Sequence, residues 1–62
     1  MLKVSVLLNN GQPDKDFIVN GREDICFAEA GDGLCMIVNH TRGEDLFMMR
    51  DVMMWTKEAV LH

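Results

Sequence analysis

Cys26, Cys35, His40 and His62 are the thiols and imidazoles of this chain, and two chemistries would use them. One is a metal site. A structural zinc site wants four convergent ligands, commonly with cysteines two to four residues apart. Here the cysteines are nine apart and His62 is the last residue. The other is a Cys–His nucleophile, with Cys26 or Cys35 activated by His40. That needs an imidazole held by a third group inside a pocket. His40 precedes a turn-forming triplet, Thr41-Arg42-Gly43, and is expected in solvent. The paired carboxylates Glu23-Asp24 and Glu44-Asp45 also border turns, with no third oxygen ligand near either. Asn9-Asn10-Gly11 lacks the strand–loop–helix context of a phosphate-cradling loop. No catalytic residue, metal or cofactor is therefore expected, and the chain reads as a non-enzyme.

The elements that would carry these residues are short strands. Leu2, Val4, Val6 and Leu8 alternate with Lys3 and Ser5, the pattern of a half-buried strand over Leu2–Asn9. Asn10-Gly11 ends it, because both residues tolerate positive φ. Asp16–Asn20 forms a second strand, closed by Asn20-Gly21. Ile25–Ala30 and Leu34–His40 flank Gly31-Asp32-Gly33 as a hairpin. In that hairpin Cys26 and Cys35 share a face as diagonal neighbours, about 7 Å apart. A disulfide would need backbone movement at that distance, so two reduced, packed thiols are expected.

Residues 44–59 admit two readings. As strands, Asp45–Met49 extends the sheet through the Thr41–Gly43 turn, Arg50-Asp51 turns the chain, and Val52–Thr56 ends it. As a helix, pairs at 48/49, 52/53, 55/56 and 59/60 follow a 3.6-residue stripe with Thr41-x-x-Glu44 as a capping box. The first reading gives a mostly β chain, a small five-stranded antiparallel barrel. The second gives an α+β fold, a four-stranded antiparallel sheet with a C-terminal helix from about residue 44 to 59. The barrel is preferred because the tight turn at Thr41–Gly43 extends the preceding ladder without a break.

With 62 residues the chain is one domain over 1–62, and a domain of that size buries only about 60% of its unfolded surface. Ten acidic and six basic residues leave a net charge of -4, which disfavours a nucleic-acid binder lacking a segregated basic face. No apolar run has the length of a membrane span, and Met1-Leu2-Lys3-Val4 lacks the features of a secretory signal. A soluble cytoplasmic protein is expected.

Lys3–Gly11 as first strand and turn, and Phe47–Trp55 as penultimate strand, one-turn corner and last strand, resemble the small SH3-like and Sm-like barrels. Sm-like proteins form rings and bind RNA through loop residues that find no counterpart here, so RNA binding does not follow from the resemblance. Size and style are similar to small accessory proteins of phages and mobile elements, including anti-CRISPR inhibitors, which act by covering a surface of a larger host complex.

Leu46-Phe47-Met48-Met49 and Val52-Met53-Met54-Trp55 carry more apolar area than one face of a small domain can bury. Alternation would put Met53 and Trp55 on one face of the last strand and Val52 and Met54 on the other, so both sets cannot point inward. The expected partner-binding residues are Phe47, Met49, Arg50, Met53, Met54 and Trp55, facing a host protein complex or a second copy. The alternative expectation is an oligomeric RNA or single-stranded DNA binder with Arg22, Arg42, Arg50 and Lys57 clustered.

Overall fold

The structure is a computed structural model and describes residues 1–60. Six strands follow in order: β1 (Leu2–Leu8), β2 (Lys15–Val19), β3 (Ile25–Ala30), β4 (Gly33–His40), β5 (Gly43–Met48) and β6 (Val52–Ala59). One 3₁₀ turn, Arg22–Asp24, precedes β3, and a second, Met49–Asp51, precedes β6. Strands β2-β1-β6 form the first sheet and β3-β4-β5 the second, every pairing antiparallel. The two sheets do not close into a barrel, and the strands number six, one for each segment named from the sequence, rather than the five of the expected barrel.

The helix alternative for residues 44–59 is overturned, since this stretch is β5, a 3₁₀ turn and β6. Intrinsic propensity favoured helix there, but the sheet partners win. β5 pairs along β4 and β6 along β1, which satisfies backbone groups and packs the half-buried Phe47, Val52 and Trp55 against the core.

Both hairpins of the second sheet close in two residues, Gly31-Asp32 and Thr41-Arg42. The residue after each turn is a glycine at positive φ, Gly33 at 130° and Gly43 at 137°. Side-chain-bearing residues are strained there.

The core lies between the sheets. Val4, Val6 and Leu8 of β1, Val19 of β2, and Met36 and Val38 of β4 are buried. Leu2, Phe17, Ile25, Phe47, Met49, Val52 and Trp55 pack around them. Burying one such side chain contributes roughly 1.5–3 kcal/mol. A backbone bond links the Thr41–Arg42 turn of the second sheet to β2 of the first, Thr41 N donating to Ile18 O at 3.2 Å, and Asn9 N donates to Asp51 O of the second 3₁₀ turn at 2.9 Å. The Asn9 side-chain amide adds a bond to Arg50 O at 3.1 Å, so one residue after β1 caps the second 3₁₀ turn.

A bulge in β6 corrects the expected alternation. Leu7 pairs with Met54 and Leu8 with Val52, leaving Met53 without a partner. One extra residue shifts the phase of the strand. Val52 and Trp55, which strict alternation places on opposite faces, therefore both reach the core. Met53 and Met54 both turn to solvent, 62% and 52% exposed.

Candidate functional site

Residues directly paired across strands project from the same face of a sheet. On the outer face of the first sheet, Lys3 sits between Ile18 and Glu58, Ser5 between Asp16 and Thr56, and Leu7 beside Met54. That face is polar except for Ile18 and its Leu7–Met54 corner.

The outer face of the second sheet is different. One row runs Cys26–Ile37–Leu46 and the next Ala28–Cys35–Met48. Two consecutive rows across all three strands thus hold no polar side chain other than the thiols. Asn39 and Glu44 bound them on one side, and Ala30 with Gly33 on the other. Leu46, Cys26 and Ala28 are exposed, while Ile37 and Met48 are half-buried. A sheet face of this composition normally packs on another layer.

The six expected partner-binding residues divide. Phe47, Met49 and Trp55 pack against the core, with the Trp55 ring 5.8 Å from Phe27. Arg50, Met53 and Met54 are exposed. Ile37, Leu46 and Cys26 of the outer face lie outside that expected set, although the sequence carries a signal for this face. Leu34–Val38 is five apolar residues without alternation, the pattern of a strand apolar on both faces.

His40 is not solvated as expected. Its side chain is only 10% exposed and lies 2.7 Å from Asp45, Nε2 to Oδ2. The ring stacks on Phe17 with centroids 4.6 Å apart. The Arg42 backbone N–H donates to Nδ1 at 3.2 Å. Nδ1 is therefore an acceptor, and Nε2 carries the proton donated to Asp45. These groups line a shallow hollow of about 450 Å³ with Lys15, Asp16 and Ile18. A His–carboxylate pair in a hollow has the outline of an acid–base site, yet both ring nitrogens are held by internal partners. Neither cysteine supplies a nucleophile to His40. Cys26 and Cys35 belong to the outer phase of the second sheet, while His40 shares the inward phase of Met36 and Val38.

Both thiols are free, and they occupy diagonal positions of one face, as the register requires. Only Cys35 is packed, at 3% exposure, with its thiol donating to Ala28 O at 3.2 Å. Cys26 is exposed, against expectation, because β3 is an edge strand. Among the described residues no group of acidic, Cys and His side chains converges to hold a metal ion, and His62 lies outside them. Of the carboxylate pairs, Asp24 accepts the Asn20 N–H at 3.0 Å and Asp45 holds His40. Arg22, Arg42, Arg50 and Lys57 sit in four different elements or turns. Among the described residues no helix is long and apolar enough to cross a membrane. Comparison with models of protein families, with curated proteins and with solved structures returns no match.

Proposed function

We propose that this chain is a non-enzymatic protein-binding module that works by covering a surface of a larger protein complex, in the manner of phage or mobile-element inhibitors. The observation that carries the reading is the outer face of the second sheet, where two apolar rows surround the buried Cys35, with Cys26, Ala28 and Leu46 exposed and Ile37 and Met48 half-buried. Exposed Met53 and Met54 add a second apolar spot at the β6 bulge. Methionine and other unbranched side chains adapt to irregular partners. The strand order, with a 3₁₀ turn leading into a last strand that returns to β1, supports placing the module beside the small SH3-like barrels.

The test uses Leu46→Lys and Met54→Lys, two positions more than half exposed. The tagged chain is cross-linked in cells that express it, and partners are compared between wild type and the variants. The expected result is a protein cross-linked beside Leu46 in the wild type and lost in Leu46→Lys, with melting temperatures unchanged. The same partners recovered in equal yield from both variants would refute the reading.

A further inference from the structure

The charge of this molecule is divided between its two sheets. Residues 22–51 hold seven acids (Glu23, Asp24, Glu29, Asp32, Glu44, Asp45 and Asp51) against three arginines. The rest of the chain holds three acids and three lysines, so the whole net charge of -4 belongs to the half that forms the second sheet. The three lysines, Lys3, Lys15 and Lys57, all lie in strands of the first sheet. Strands β3, β4 and β5 contain neither lysine nor arginine. The apolar rows are therefore mounted on the acidic half. Glu44 continues their phase at one end, and Asp32 occupies the turn at the other.

Shape narrows the occupant further. Three strands set about 4.8 Å apart make a face about 10 Å wide. One α-helix has that diameter, about 10–12 Å with side chains. Helix on sheet is also the common way to bury an apolar sheet face. A strand would instead add to an edge, where backbone groups are free.

We propose that the outer face of the second sheet docks a cationic amphipathic helix of a protein partner. Its apolar stripe lies over Ile37, Leu46 and Met48, and its Lys or Arg residues reach Glu44 and Asp32 at the two ends of the rows, since Glu29 and Asp45 take the inner phase. This inference rests on the protein-binding reading and adds the chemistry of the bound segment. The acidic setting works against nucleic acid and against anionic lipid, because both would bring phosphate to a surface that already repels it.

The test titrates two synthetic amphipathic peptides into the full chain at low salt, followed by two-dimensional amide NMR. The peptides share one leucine stripe and carry either lysine or glutamate on the polar face. The expected result is shifts confined to β3, β4 and β5, with the lysine peptide bound at least about tenfold more tightly, since several charge pairs each contribute modestly. Binding of the lysine peptide should weaken from 50 to 500 mM salt, as screening shortens the reach of exposed charges. Leu46→Lys should abolish it. Glu44→Lys should narrow the preference between the peptides, and amide spectra report that both variants remain folded. Equal affinities, shifts centred on the first sheet, or no shifts would overturn the inference. If the peptides fail while Leu46→Lys still loses its cellular partner, the protein-binding reading stands and only the cationic helix falls.

Discussion

Removing the Trp55 ring should damage the fold before it damages any interface. Trp55 packs against the core from β6 and meets Phe27 across the gap between the sheets. Truncating a buried aromatic to alanine costs about 3–5 kcal/mol, and the partial exposure of Trp55 places it near 3 kcal/mol. A domain of 62 residues has a total stability of roughly 3–9 kcal/mol. The loss is therefore a large share of the whole. At about 4–8 °C per kcal/mol, Trp55→Ala should melt at least about 12 °C lower. Met54→Lys, one residue away, changes a side chain that the bulge turns to solvent, and should stay within about 0.5 kcal/mol of wild type. Far-UV circular dichroism is the assay, because Trp55 is the single tryptophan and its fluorescence disappears with the substitution. A melting temperature for Trp55→Ala within about 3 °C of wild type would refute the bulge argument. So would a Met54→Lys variant as unstable as Trp55→Ala. The same comparison decides which residue is a usable control in binding work. A partner lost on Trp55→Ala reports unfolding, whereas one lost on Met54→Lys reports contact.

Gly43→Ala should cost about 1–3 kcal/mol by urea unfolding, since φ at Gly43 is 137° and alanine adopts that region only under strain; a cost below about 0.5 kcal/mol would contradict the turn geometry. Exposed Cys26 should react with iodoacetamide as a free thiol, while buried Cys35 reacts only when the fold opens. Mass spectrometry of partial labelling should find Cys26 modified first by about a hundredfold or more, and equal rates would argue against the packed Cys35. His40 should show the nitrogen shifts of an imidazole protonated at Nε2, and His40→Ala should lose about 1–2 kcal/mol with the bonds to Asp45 and Arg42. A proton on Nδ1 in the neutral ring would contradict the hydrogen bond from Arg42.

Several features of this chain are local and were readable as such. Alternation in Leu2–Leu8 makes a strand whatever it packs against, because its apolar side chains already share one face. Gly33 and Gly43 mark the two hairpin turns because glycine reaches positive φ cheaply, although the structure makes each the first residue of the next strand rather than the third residue of the turn. The diagonal placement of Cys26 and Cys35 follows from the same turn. Charge is equally local, so the acidic excess of residues 22–51 stands in the sequence itself.

What tertiary structure decided was which apolar residues are left over. Phe47, Met49 and Trp55 belong to the same apolar surplus of the sequence as Met53 and Met54, yet the first three pack, half-buried, against the core. The difference is one unpaired residue, Met53, and a bulge needs a partner strand before it has any meaning. Strand or helix in residues 44–59 was likewise undetermined locally, since Met, Leu and Glu favour helix while pairing to β4 and β1 favours strand. The shielding of His40 depends on Phe17, which is distant along the chain but stacked on it in space. Hydrophobic patterning sets which faces can be buried. Only the meeting of β1 with β6 and of β2 with β4 selects which of them are, because burial needs an opposing surface that no single segment carries.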